Sequence, residues 1–318
     1  MTSVSIPKGT IKLSGLLFKP SKPFTPKTPA LIIVHPGGGV KEQTASTYAK
    51  KLSEEHGVTT VAFDASHQGA SEGEPRFLED PNARVSDIWS VVDYLERVDT
   101  VNPENIGIVG ICAGGGYAVA AAKADQRIKC VATVSLVNIG DSGRYGWYGQ
   151  DAPAKQRDII VKAAKQISAE GKGAAYETVP YVPPKLEDST PVDLKEAHEY
   201  YLTSRGQHPR AQNKMLLRSV PRILTFDAFN LADLYLKQPV LLIAGEKAES
   251  RWHTEKLDEL ISYVTEKVIV PKARHVDFYD RDEFVIVPKA RHVDFYDRDE
   301  FVDPAVLKIA QFMKARLV

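Results

Sequence analysis

A doubly wound, mainly parallel α/β sheet carrying an inserted, mostly helical cap is the fold class predicted for this chain, and three observations lead to it. Short, unbroken apolar runs of the buried parallel-strand type alternate with segments of helical period. The alternation breaks from about 140 to 237 and then resumes. Gly110-Ile111-Cys112-Ala113-Gly114 sets a cysteine in a glycine-flanked strand-to-helix turn, the G-x-S-x-G nucleophile elbow with sulfur for oxygen.

The elements follow in order. Residues 4–20 read as a hairpin turning at Pro7-Lys8-Gly9, with Ile11, Leu13, Leu16 and Phe18 as apolar positions. After a linker rich in proline and lysine, Ala30-Leu31-Ile32-Ile33-Val34-His35 is a buried strand running into Pro36-Gly37-Gly38-Gly39. Residues 44–56 have helical spacing and stop at Gly57, where a left-handed cap costs glycine little. Residues 59–64 form the next strand. Asp80-Pro81 opens a helix with an N-cap oxygen and proline at the first position, and Val85, Ile88, Trp89, Val92 and Leu95 share one face. The strand 106–111 feeds the cysteine turn, and residues 114–122 begin a small-residue helix. Residues 127–134 are strand-like and carry Cys130 as a core side chain. In the cap, 158–170 and 193–203 are helical candidates on either side of the proline-rich stretch 180–184. The strand 240–245, a helix near 254–264, the strand 267–270 and a terminal helix 304–317 complete the pattern. Catalytic groups in such a sheet lie on loops at the carboxyl ends of strands. Those loops carry Gly37 to Gly39, Cys112, Glu246 to Glu249, and a histidine.

The 318 residues, 43% hydrophobic and 26% charged, suit one core (1–139 and 238–318) interrupted by a cap (140–237). Formal net charge is zero, from 41 basic and 41 acidic residues, so no global field recruits nucleic acid or an anionic membrane. A small-molecule acyl substrate is the partner expected, and association with a second copy of the chain stays open. Residues 1–20 lack an unbroken apolar stretch, so neither signal peptide nor membrane anchor is read there and a cytoplasmic location is expected. Two cysteines make no disulfide framework. Without a His-x-x-x-His pair, a cysteine cluster or G-x-G-x-x-G spacing after the first parallel strand, no metal or cofactor is expected.

Cysteine attacks a carbonyl as thiolate, so Cys112 needs an imidazole within hydrogen-bond reach and a carboxylate to orient that imidazole. It also needs N–H donors for the developing oxyanion. The elbow supplies the N–H of Ala113, reinforced by the N-terminus of its helix. The second donor is expected from the Gly37-Gly38-Gly39 loop, Gly38 first and its neighbours next. Asp64, followed by Gly69 and Ser71, reads as the support of a turn, and His35 and His67 as loop-shaping hydrogen bonders.

Three stretches carry a resemblance: His35-Pro36-Gly37-Gly38-Gly39-Val40-Lys41-Glu42-Gln43, Phe63-Asp64-Ala65-Ser66-His67-Gln68-Gly69 and Gly110-Ile111-Cys112-Ala113-Gly114-Gly115-Gly116-Tyr117. With the tail His-Val-Asp-Phe-Tyr-Asp they resemble the cysteine branch of the α/β-hydrolases, similar to dienelactone hydrolase and closer to the polyketide transferase and thiohydrolase group. Only the cap is unmatched. The resemblance implies the α/β-hydrolase fold, with nucleophile, acid and histidine in that chain order. It places the acid at Glu249, where similar proteins carry an aspartate, with Glu246 as the alternative.

Two histidines compete for one position. Residues 268–284 recur without change as 285–301, so His275 and His292 sit in identical surroundings. Two copies exclude a solenoid. His275 is favoured, because the short Thr265-Glu266-Lys267 connection lets its strand dock first. The expected function is hydrolysis or acyl transfer on an ester, lactone or thioester through a cysteine acyl-enzyme with a Cys-His-Glu triad. The alternative is a catalytically inactive small-molecule binding protein of the same fold, which the duplicated segment keeps open.

Overall fold

Strand β1 (Thr2–Lys8) turns through Gly9, at φ +55°, into β2 (Ile11–Phe18), and this hairpin forms one edge of an eight-stranded sheet. The computed structural model describes residues 1–23, 26–261, 265–280 and 302–317. Chain order continues with β3 (Thr28–Val34), α1 (Thr44–His56), β4 (Thr59–Phe63), α2 (Pro81–Leu95), β5 (Val101–Ile111), α3 (Ala113–Ala124) and β6 (Ile128–Val134). After the cap come β9 (Val240–Gly245), α9 (Trp252–Leu260), β10 (Thr265–Val270), α10 (Asp277–Asp280) and α11 (Val302–Leu317). The strand order is β1-β2-β4-β3-β5-β6-β9-β10, antiparallel in the first two pairings and parallel in every later one.

Both faces of the parallel strands are buried, which is why they read as unbroken apolar runs. On β3, Ile32 and Val34 join a core with Ile88, Val92 and Tyr117 beneath α2 and α3. Leu31 and Ile33 face the opposite core with Tyr48, Ile309 and Phe312 beneath α1 and α11. Local signals fix the helix ends: Asp80 accepts from the N–H groups of Asn82 and Ala83, and Gly57 closes α1 at φ 69°. Cys130 is fully buried and packs Sγ against Met313 Sδ at 3.0 Å.

Between β6 and β9 the chain forms α4 (Ile139–Tyr145), α5 (Arg157–Glu170), α6 (Val192–Leu202), α7 (Val220–Thr225) and α8 (Ala232–Tyr235). Two short strands, β7 (Thr178–Val179) and β8 (Met215–Leu216), pair antiparallel within it. Several boundaries differ from the sequence reading by a residue or more, two of them by several residues. β5 begins at Val101 rather than 106, and α9 stops at Leu260 because Ile261 is already extended (φ −96°, ψ 130°). Val268-Ile269-Val270 of the first repeat copy pairs with Ile243-Ala244-Gly245, so that apolar triplet completes the sheet. The second copy, 285–301 with His292, lies outside the described residues. No described helix is long and apolar enough to cross a membrane.

Asp64 supports the turn after β4 from a fully buried position. Its Oδ1 accepts the Lys41 N–H at 2.7 Å, and its Oδ2 accepts Lys41 Nζ and the Ala70 N–H, both at 2.8 Å. Removing the carboxylate leaves an ammonium group only 4% exposed with Glu42 as its remaining acid. Asp64→Ala is therefore expected to lose about 3 kcal/mol, the lower end for breaking a buried pair, read as a reduced urea midpoint at unchanged m.

Candidate active site

Cys112 sits between β5 and α3 at φ 54°, ψ −124°, a conformation that costs a non-glycine residue and persists only where its surroundings enforce it. The enforcement is visible in the backbone. Cys112 N–H donates to the Val134 carbonyl at 2.9 Å, and the Cys112 carbonyl accepts from Gly115 at 2.9 Å and Val137 at 3.0 Å. A Cβ on Gly110 would stand 2.3 Å from the Gly114 carbonyl oxygen, and one on Gly114 2.3 Å from that of Val34. Glycine is thus required on both sides of the elbow by close backbone approach.

The Cys112 sulfur faces a cavity of about 310 Å³ at the carboxyl edge of the sheet. His275 and Tyr279 line it from the core side, and Trp147, Tyr181 and Tyr201 close it from the cap. Burial pushes the Cys112 thiol up, while hydrogen bonding from the Tyr279 hydroxyl and from the N–H groups of Ala113 and Gly37 pulls it down. The N–H that joins Ala113 at the sulfur belongs to Gly37, the neighbour of Gly38 in the glycine loop expected to supply the second oxyanion donor. Gly38 is occupied with making the turn, at φ +70°, under the ring of Tyr181, where a Cβ would lie 2.6 Å from the ring. His35 shapes this loop. Its Nδ1 bonds the Pro36 carbonyl at 2.7 Å and its Nε2 accepts from Arg84 at 3.1 Å, a fixed tautomer because arginine is always the donor.

Among the described residues, His275, delivered by the loop after β10, is the histidine that lines the cavity. Its Nε2 lies 3.1 Å from the Tyr279 hydroxyl and its Nδ1 2.6 Å from Ser250 Oγ, with the Trp147 ring edge-on at 5.3 Å. Burial lowers its pKa to about 3, so the imidazole is neutral. Glu249 is not on this imidazole, which corrects the expected triad. Its carboxylate accepts the N–H groups of Val192 at 3.0 Å and Asp193 at 2.9 Å, with the Tyr148 hydroxyl at 3.3 Å. Unpaired N–H groups and the positive dipole end of α6 draw it away from the histidine. Glu246 is also turned aside, accepting the Lys272 N–H at 2.9 Å.

Asp193, in the first turn of α6, is a further carboxylate beside this loop, and a buried one. Its Oδ2 accepts the N–H groups of Glu249 at 2.8 Å and Ser250 at 3.3 Å, and Trp147 Nε1 at 3.4 Å. Burial, then the Glu249 and Glu196 carboxylates, raise its pKa to about 7. Sequence reasoning missed Ser250, Tyr279 and Asp193. Tyr279 stood inside the quoted tail and Ser250 beside Glu249, whereas nothing local marks Asp193.

Asp193 and His275 impose opposite pH dependences on stability. Asp193, raised from 3.8 to about 7, stabilises fully below pH 3.8, and this contribution is lost as pH rises to about 7. His275, lowered from 6.5 to about 3, contributes fully above pH 6.5, and this is lost as pH falls to about 3. Each slope is about 1.4 kcal/mol per pH unit, so in the wild type they largely cancel between. Urea unfolding at pH 4.5 and 6.5 is expected to show Asp193→Asn gaining stability with rising pH and His275→Gln losing it.

Comparison with known proteins places this site in context. The uncharacterized protein YcjY of Escherichia coli (strain K12) is 42% identical over 273 residues, 85% of this chain and 89% of its own. The uncharacterized protein PA2218 of Pseudomonas aeruginosa is 36% identical over 278 residues, 85% of this chain and 73% of its own. The PA2218 crystal structure superposes with a TM-score of 0.86 at 28% identity, over 99% of this chain and 93% of that one. GrgF, a polyketide transferase of a Penicillium species, is 24% identical over 254 residues, 77% of this chain and 81% of its own. Its structure shares the fold at a TM-score of 0.78 and 21% identity, over 99% of this chain and 98% of that one. Residues 31–303 match the alpha/beta hydrolase family, and with the sheet order and elbow just described, the chain belongs to that family.

Proposed function

We propose that this protein is a hydrolase or acyl transferase that attacks an ester, lactone or thioester carbonyl with Cys112 and resolves a covalent acyl-enzyme. The observation that carries this reading is the convergence on one sulfur of a strained elbow, the N–H groups of Ala113 and Gly37, and the Tyr279 hydroxyl that also meets His275. As the sulfur bonds to the acyl carbon, the thiol proton passes to the Tyr279 oxygen and the Tyr279 proton to Nε2 of His275. The carbonyl electron pair moves onto oxygen, where the two N–H groups receive it. Collapse breaks the bond to the leaving alcohol or thiol, which takes its proton back along the same route. Water or an acceptor then repeats the sequence on the thioester.

Substrate class follows from the lining. The cavity is small for a ligand site and mostly apolar, with Val137, Ile139, Leu194, Met215 and Ile223 around the nucleophile. No charged side chain of the cap lines it, so the acyl group it suits is uncharged. The relative named a polyketide transferase supports acyl transfer as the class. With the thiol raised and the imidazole lowered, the resting pair is neutral, and such a thiol suits activated acyl groups over amides. That neutrality also favours a second reading, a binding protein that holds such a compound without turning it over.

A panel of p-nitrophenyl esters and acyl-CoA thioesters separates the two. Turnover with an acyl adduct on Cys112 by mass spectrometry is expected, together with a loss in Cys112→Ala of at least about a thousandfold. Tyr279→Phe is expected to lower kcat by about a hundredfold, the scale of one proton-transfer group. Full turnover by Cys112→Ala overturns the proposal, and binding without turnover by the wild type favours the second reading.

A further inference from the structure

We propose that the carboxylate serving His275 is Asp193 of the cap helix α6, acting through Ser250, while Glu249 holds that helix in place. The inference rests on the reading of Cys112 as nucleophile and His275 as its base. For Nε2 to take a proton, Nδ1 must carry a hydrogen and find an acceptor. The acceptor present is Ser250 Oγ at 2.6 Å, on a residue 1% exposed. Asp193 in turn fixes what surrounds the ring: its Oδ2 holds the backbone N–H of Ser250 and the indole N–H of Trp147, whose ring lies edge-on to the imidazole.

Asp193 is completely buried, and its Oδ1 has no hydrogen-bond partner among the described residues. A buried carboxylate oxygen left unpaired is costly and calls for a physical reason. Balancing the charge that appears on His275 when it accepts the proton is one. The carboxylates facing Asp193 are Glu249, from the loop after β9, and Glu196, on its own helix, with Arg274 Nε 3.5 Å from Glu196. Ser250 and Trp147 are neutral. Glu249 and Asp193 exchange hydrogen bonds, each carboxylate accepting the other's backbone N–H. The loop that an acid would ordinarily occupy therefore anchors a cap helix, and the cap helix returns the acid.

Two readouts on the full chain test this: kcat and KM on a p-nitrophenyl ester, and the pH midpoint of Cys112 alkylation by iodoacetamide, mapped by mass spectrometry. The second needs no turnover. Asp193→Asn is expected to lower kcat at least 30-fold with KM within threefold, and to raise the alkylation midpoint by about one pH unit. Ser250→Ala is expected to shift both in the same direction, and it carries the test if Asp193→Asn fails to fold. Glu249→Gln should lower Tm while leaving the alkylation midpoint in place. An unmoved midpoint in both Asp193→Asn and Ser250→Ala overturns the assignment, as does a shift of a unit or more in Glu249→Gln. A wild type that turns over no ester or thioester, yet shows the Asp193→Asn shift, removes the catalytic reading and keeps the Asp193–His275 coupling.

Discussion

The contact between the first turn of α3 and the ends of β3 and β5 sets the geometry on which the rest of the site depends. Gly114 rides against the Val34 carbonyl and Gly110 against the Gly114 carbonyl, so close that no side chain fits at either. Cys112, trapped between them, has no relaxed backbone available and is turned out toward the cavity. Its own N–H and carbonyl are tied to Val134, Gly115 and Val137, so the strain is distributed over β6 and the loop beyond it. Any group that is to meet the sulfur must come to it.

Two elements do come, and one buried acid helps position both. Glu79, fully buried, accepts the hydroxyl of Tyr117 on α3 at 2.6 Å and that of Tyr181 on the cap at 2.7 Å. Tyr181 lays its ring over Gly37 and Gly38, and so presses on the loop that brings an N–H to Cys112. Arg84, with Nε 3.6 Å from Glu79, also donates to the ring and carbonyl of His35, fixing the other end of that loop. Such a network is a stable use of buried charge because its members answer one another. It ties elbow helix, oxyanion loop and cap to a common centre, and the charge of Arg84 adds to the hydrogen bonds that draw the Cys112 pKa down against burial.

Legibility in the sequence divides along the range of the forces involved. The helix α1, bounded by Thr44 and Gly57, and the start of α2 at Asp80-Pro81 are settled by neighbouring residues, and both are read to the residue. The elbow was legible for the same reason: its glycines answer a steric demand within five residues. The glycine loop was legible as a source of N–H groups, but which of its glycines reaches the sulfur depends on where the distant Tyr181 ring presses. Glu249 misled because a loop acid after β9 has two calls on it, an imidazole or the N-terminus of a helix. The second exists only after α6 docks from more than 50 residues away in sequence. Asp193 had no local mark at all, because its environment is assembled by the cap.

The position of His275 shows how strand pairing can place a side chain before its own chemistry is considered. Both copies carry the same residues around His275 and His292, so no property of the imidazole distinguishes them. For His275 the governing factor is reach. β9 offers an unpaired parallel edge six residues long, and the chain leaving α9 meets Thr265 to Val270 first. Once Val268-Ile269-Val270 takes that edge, Ala273 is brought so close to the end of β9 that its carbonyl would stand 2.2 Å from a Cβ on Gly245. The Lys247 N–H bonds the same carbonyl at 2.8 Å. From that clamp, only Arg274 separates the chain from His275, so the imidazole inherits its position from strand pairing. Parallel pairing supplies the register and glycine the clearance, and together they set the backbone position from which the imidazole meets Ser250 and Tyr279.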